Sequence, residues 1–211
     1  MNITIDNLTK SFGAVKALDG VSVQFDSGMI HGLIGRNGSG KTLLIKCICA
    51  LITPTSGTIT IDGKRLFHDI QRPDNMGAII EAPGFLPNIN AYKNLSLLAG
   101  MTGCARHDDI IRAIQTVGLD PNSRKHVGKY SMGMKQRLGI AQAIMENPDT
   151  LILDEPMNGL DNSGVADMRN LFKSLRDKGK TIILASHNPL DIDELCDTVH
   201  EMDAGHMSLV R

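Results

Sequence analysis

The chain has 211 residues, 42% hydrophobic and 21% charged, with a formal net charge of −1, which suits one globular domain with a full core. So balanced a charge excludes a global basic field directed at nucleic acid or an anionic membrane. The longest apolar run, near Leu43–Ile52, carries Lys46 and falls far short of the roughly 20 residues of a membrane-spanning helix.

The N-terminus alternates polar and apolar residues, which is not a signal-peptide pattern. Ile3, Ile5 and Leu8 predict one strand, and Val21, Val23 and Phe25 another. Ser11–Ala14 between them reads as a loop. Phe12 in that loop is either a core residue or, if it lies near the next element, a ring on which a nucleobase can stack.

Met29–Ile34 reads as a short buried strand and Leu43–Leu51 as a helix. Between them Gly35, Arg36, Asn37, Gly38, Ser39, Gly40, Lys41 and Thr42 satisfy every fixed position of G-x-x-x-x-G-K-[ST]. The glycines tolerate positive φ and a close ligand, so successive N–H groups can form an anion-binding concavity at a helix N-terminus. Lys41 is placed to reach β- and γ-phosphates, and the Thr42 hydroxyl to ligate Mg²⁺.

Thr53–Gly57 breaks the chain, Thr58–Asp62 alternates, and Asp62-Gly63 is a hairpin signal. Residues 1–27 and 57–67 are thus expected to form an antiparallel β layer. Met76–Ile80 reads as a short buried strand ending at Glu81-Ala-Pro-Gly-Phe85. From Asn90 to about Val127 the spacing of Leu95, Leu98, Ala99, Ile110, Ile111, Ile114 and Val117 predicts helices. This makes an inserted helical subdomain at about 86–130.

Tyr130–Arg137 opens a further helix with Met134, Leu138, Ala141 and Met145 on its apolar face. Ser131 and Gly133 at its start leave free N–H groups as a second anion site, or Ser131 simply caps the helix. Thr150–Leu153 reads as a strand that delivers Asp154 and Glu155 to the C-terminal edge of a parallel sheet, where ligands bind. Asp154 there is placed to hold Mg²⁺ and Glu155 to orient and deprotonate the attacking water, or the two acids simply end the strand in a polar turn. An amphipathic helix (Val165, Met168, Phe172, Leu175), the strand Thr181–Ala185 leading to Ser186-His187, a helix near Leu190–Cys196 and a final hairpin at Ala204-Gly205 complete the chain. The four cysteines, Cys47, Cys49, Cys104 and Cys196, have no metal-site spacing and read as small buried hydrophobes in a reducing compartment.

A helix-opening Ser-x-Gly immediately upstream of the Asp-Glu strand, after a helical insertion, resembles the ATP-binding-cassette family, and the resemblance covers nearly the whole chain. It implies an α/β P-loop NTPase (RecA-like) core with an antiparallel β subdomain and an inserted α-helical subdomain. It makes Phe12 the adenine-stacking aromatic, Gly35–Thr42 the Walker A motif and Leu151–Asp154 Walker B. Tyr130–Met134, with Ser131, Met132, Gly133 and Met134, stands where the family has Leu-Ser-Gly-Gly-Gln. Asn158–Asp161 looks like the D-loop and His187 like the histidine that contacts the γ-phosphate.

Family members work as head-to-tail dimers that hold each ATP between the Walker motifs of one subunit and the signature motif of the other. The resemblance therefore implies an ATPase using ATP and Mg²⁺, paired on ATP binding. It would lie on the cytoplasmic face of the membrane through a separate permease subunit, without nucleic acid.

Two motifs depart from the family pattern. Glu81 stands where the Q-loop glutamine is usual and remains a possible Mg²⁺ ligand. With the Pro-Gly-aromatic run after it, Glu81 resembles the bacitracin- and lantibiotic-type exporters of peptide-antibiotic immunity. Met132 and Met134 replace a glycine and the glutamine of the signature. The alternative is a soluble ABC ATPase acting on nucleic acid, ribosomes or an assembly complex. The coiled-coil insertion of the repair members and the second cassette of translation-type members are not present in the sequence. The chain ends soon after the final hairpin, as expected for the minimal motor.

Overall fold

The computed structural model describes residues 1–211. Strands β1 (Ile3–Phe12) and β2 (Val15–Phe25) pair antiparallel, and β4 (Ser56–Ile61) and β5 (Lys64–Arg65) extend the sheet in the order β2-β1-β4-β5. Asp62 and Gly63 close the β4–β5 turn at φ 46° and 80°, the two left-handed positions of a type I′ hairpin. Leu8 is out of phase with Ile3 and Ile5, yet all three are buried. A register shift between Ile5 and Leu8, with Asn7 at φ 50°, turns Leu8 back to the core.

The expected loop at Ser11–Ala14 is shorter than the sequence suggested. Phe12 pairs directly with Val15, so only Gly13 and Ala14 form the turn, and Phe12 ends a strand. It is 54% exposed, which removes the core reading.

The second sheet has the order β10-β9-β3-β8-β7-β6. Its members are β3 (Ile30–Ile34), β6 (Met76–Ile79), β7 (Thr150–Asp154), β8 (Thr181–Ala185), β9 (Thr198–Asp203) and β10 (His206–Leu209). All neighbours run parallel except the β9–β10 hairpin. β7 and β8 are buried at every residue, as sheet strands covered on both faces must be. β6 corrects an expectation: it is the edge strand, and only Ile79 in it is fully buried. Its apolar run reflects close cover by one helix, since a Cβ on Gly77 would stand 1.9 Å from the Ala143 carbonyl.

Helix α1 (Lys41–Ile48) follows β3. α2 (Ala91–Thr102), α3 (His107–Thr116) and a 3₁₀ turn at Val127–Lys129 lie in the segment read as helical. Next come α4 (Met132–Ile144), α5 (Asn162–Asp177) and α6 (Pro189–Leu195). Two cores result. On one face of the parallel sheet, Leu153, Ile182 and Leu184 pack with Phe172 of α5, Leu138 of α4 and Ile114 of α3. On the other, Ile152 and Ile183 pack with Leu44, Ile45 and Ile48 of α1 and with Phe25 of the antiparallel layer. α1 is thus clamped between the two sheets, which fixes the loop that precedes it.

Cys47 and Cys196 are buried and Cys49 is half-buried, whereas Cys104, in the loop after α2, is exposed. That corrects the expectation that all four thiols are interior; the α2–α3 connection crosses no core. No helix is long and apolar enough to cross a membrane.

Candidate nucleotide site at the sheet edge

Four parallel strands, taken in sheet order β3, β8, β7 and β6, deliver the loops that carry Gly35–Thr42, His187, Glu155 and Glu81. All four loops leave from C-terminal strand ends. This is the edge at which ligands bind in open α/β sheets.

The glycine loop is held by close backbone approach. A Cβ on Gly35 would sit 2.1 Å from the Met202 carbonyl, and Gly35, Gly38 and Gly40 have φ of 140°, 81° and 115°. The Gly205 N–H donates to the Ser39 carbonyl at 2.9 Å and stitches the loop to the β9–β10 turn. Leu44 is the first N–H of α1 to reach a helical carbonyl, that of Gly40, and the N–H groups before it form a positive helix end.

Three observations test whether this cradle fits a phosphate and a metal. Lys41 is buried (7% exposed), and its ammonium donates only to the Gly35 and Arg36 carbonyls, at 2.7 and 3.1 Å. A buried cation without a carboxylate partner is costly unless an anion joins it. The buried Ser39 hydroxyl has no partner. The Thr42 hydroxyl donates to the Asp154 carboxylate at 2.8 Å, placing two hard oxygen donors together as Mg²⁺ requires. The residues fit both groups.

A cavity of about 770 Å³ opens here. Of the residues read from the sequence, it collects Phe12, Asn37, Gly38, Gly40, Lys41, Thr42, Glu81, Met132, Asp154 and Glu155. Phe12 stands at its rim, with the Lys10 ammonium 5.1 Å from the ring centroid. Gly35, Arg36 and His187 line an adjoining cavity of about 410 Å³ instead. Glu155 joins the two, because its carboxylate meets His187 Nδ1 at 2.8 Å. Glu155 and Glu81 share an unusual backbone: both are non-glycine residues in the left-handed region, at φ 51° and 59°. Such strain clusters at functional sites.

Ser131 caps α4, its hydroxyl accepting from the Met134 N–H at 3.2 Å. Met132 is 66% exposed and reaches the cavity of its own chain. Gly133 is forced by the neighbouring loop, since a Cβ there would stand 2.8 Å from the Gly159 carbonyl. Asp161 does not face the cavity; it caps α5 through the Gly164 N–H at 2.9 Å.

Lys46 and Gln136 also line the main cavity, although sequence reasoning gave them no role. Lys46 lies beyond the glycine-loop pattern and is visible only through its 2.7 Å ion pair with Glu81. The buried Asp191 was missed as well. It binds Arg169 at 2.6 Å and the Ser186 hydroxyl at 3.2 Å, anchoring the turn that presents His187.

Fold and site together define a P-loop nucleotide-binding ATPase whose glycine loop follows the central β3 strand. The chain belongs to the ABC transporter family, whose profile matches residues 18–158, and it is an ATP-hydrolysing cassette of that family. Among curated relatives, it is 45% identical to the uncharacterized ABC transporter ATP-binding protein YybJ of Bacillus subtilis, over 97% of this chain and 94% of that protein. It is 40% identical to the bacitracin transport ATP-binding protein BcrA of Enterococcus faecalis, over 97% of this chain and 67% of that protein. The lantibiotic transport ATP-binding protein SrtF of Streptococcus pyogenes is 36% identical over 93% of this chain and 85% of SrtF. A solved ATP-binding subunit of an ABC transporter superposes with a TM-score of 0.87 at 26% identity, covering all of this chain and 90% of that one.

Proposed function

We propose that this cassette is the ATP-driven motor of an exporter with a separate membrane-spanning permease, and that the exporter removes antimicrobial peptides of the bacitracin or lantibiotic kind. The buried, anion-seeking Lys41 beside the Thr42–Asp154 pair is the observation that carries the nucleotide part. The names of BcrA and SrtF support the peptide part.

In this reading Phe12 stacks on the adenine. The N–H groups of the Gly35–Thr42 loop, including those of Arg36, Asn37 and Ser39, bind the phosphates with Lys41. Thr42 and Asp154, with Glu81 at the cavity wall, hold Mg²⁺, which supplies charge neutralisation when bound. Glu155 takes the proton of the attacking water, and His187 holds the Glu155 carboxylate at the γ-phosphate end.

The cavity is open toward solvent, so a second copy completes it. Ser131, Met132, Gly133 and Met134 of one subunit then face the Walker residues of the other, with Asp161 fixing the loop between them. A helix N-terminus supplied in trans provides donors for the charge that develops on the transferred phosphoryl group. The homodimer forms on ATP binding and sits at the inner face of the membrane through its permease.

The deciding experiment captures the cassette's membrane-spanning partner by co-purification, measures ATPase activity, and challenges cells expressing both with bacitracin and a lantibiotic. Peptide-stimulated ATPase and raised resistance are expected. An ATPase that responds to no peptide and protects against none would overturn the substrate class while leaving the motor intact.

A further inference from the structure

We infer that Lys46 is the positioning residue for Glu81, the cation that lets a carboxylate stand in the nucleotide cavity without repelling the terminal phosphate. The inference rests on the nucleotide reading of this cavity and adds a residue to it.

Glu81 leaves the edge strand β6 with a left-handed backbone. Its carboxylate reaches across to α1, where Lys46 Nζ lies 2.7 Å away. Both side chains line the cavity that holds Lys41, Thr42 and Asp154. The charged residues around that cavity are three acids, Glu81, Asp154 and Glu155, and two cations, Lys41 and Lys46. Without Lys46 the wall would carry three negative charges against one positive. Even with a metal ion offsetting part of that charge, the exposed Glu81, at 64% side-chain accessibility, would then face the polyphosphate with no side-chain cation beside it, or swing away into water.

Lys46 is suited to prevent this. It is less exposed than its partner, at 27%, and it stands in the last turn of the helix whose first residues are Lys41 and Thr42. The ion pair therefore ties the Glu81 loop to the element that also fixes the phosphate cradle. A lysine in the last turn also favours the helix dipole, so the test must separate a general effect on α1 from a charge effect on the nucleotide.

The experiment titrates intact protein with fluorescent ATP and ADP analogues in the presence of Mg²⁺. It compares Lys46→Met, Lys46→Arg, Glu81→Gln and the Lys46→Met/Glu81→Gln double variant, each checked for an unchanged thermal midpoint. Lys46→Met should weaken ATP by about three- to fivefold, the scale of a partly exposed ion pair. ADP, one phosphate shorter, should move less. Lys46→Arg should retain wild-type affinity. The double variant should regain the ATP affinity of Glu81→Gln, because the one carboxylate that Lys46 offsets is then gone.

Equal losses for ATP and ADP that Glu81→Gln does not rescue would overturn the inference and leave Lys46 as a stabiliser of α1. So would a Lys46→Met protein indistinguishable from wild type. A wild-type protein that binds neither nucleotide would overturn the underlying reading instead, which keeps the two failures apart.

Discussion

His187 Nδ1 lies 2.8 Å from the Glu155 carboxylate, joining the loops that end the neighbouring strands β8 and β7. Glu155 is held by its backbone as well: its N–H donates to the Ala185 carbonyl at 2.9 Å, and its φ is 51°. A residue fixed at both backbone and side chain fits the proton-transfer role proposed for it. Glu155→Gln should keep ATP affinity and lose turnover by about 10²–10⁴-fold, the range of a removed general base. It should also accumulate as an ATP-bound dimer on size exclusion. His187→Ala should lower kcat with little change in KM. A monomeric, active Glu155→Gln protein would count against the assignment.

Lys41 makes a second, independent prediction. Its ammonium bonds only to two carbonyls of its own loop, so the loop is prearranged around a positive charge that awaits an anion. Lys41→Ala should reduce ATP affinity by about ten- to a hundredfold, the worth of a charged hydrogen-bonding group. It should leave the thermal midpoint unchanged or raised, because a buried unpaired charge has been removed. Calorimetric titration and a melting scan read the two effects separately.

The thiols differ in reactivity. Burial pushes Cys47 up to about 11 and both Cys49 and Cys196 to about 12, so these three are protonated at neutral pH. Cys104 is exposed. A thiol-reactive chromophore should therefore modify one cysteine rapidly in the folded protein and all four in denaturant. Cys104→Ser should abolish the rapid phase. Rapid reaction of a second thiol would mean that α1 or α6 opens in solution.

The glycine loop, the Asp154–Glu155 strand end and the fold class were legible because each rests on local chemistry: glycines where φ is positive, and an apolar run ending in acids. Long-range geometry was not. Nothing in the spacing announces the asparagine that returns Leu8 to the core, nor that Met76–Ile79 lies at a sheet edge, because edge and centre strands can carry the same apolar run. The sequence leaves Phe12 open between core and ligand roles; its exposure removes the first, and its position at the cavity rim is compatible with the second. The Lys46–Glu81 pair joins residues 35 apart in sequence and becomes visible only when β6 and α1 are side by side.

His31 and His200 form a buried pair under Phe25, with ring centroids 6.5 Å from each other and 5.2 and 5.5 Å from the phenyl ring. Burial lowers both pKa values below the ordinary 6.5, and His31 lowers that of His200 further. The opposing influences on His31 are its bond to the Asp26 carbonyl and the charges of Asp26 and Asp197, and they are outweighed. The buried His200 Nδ1 has no partner to receive a proton's charge.

In the unfolded chain both residues titrate near the ordinary value. As pH falls below about 6.5 the unfolded state thus takes up protons that the folded state refuses, and stability falls. Above that pH the contribution is fully present. The urea midpoint should therefore drop between about pH 7.5 and about pH 5.5. The double variant His31→Gln/His200→Phe should flatten that slope, because neither replacement titrates. β9 carries His200 beside Leu33 of β3, one residue before Ile34 and the glycine loop. Protonation there should accordingly loosen the nucleotide cradle before the rest of the fold, so ATP affinity should fall at acid pH in the wild type and fall less in the double variant. A urea midpoint equally pH-dependent in both proteins would place the acid sensitivity elsewhere.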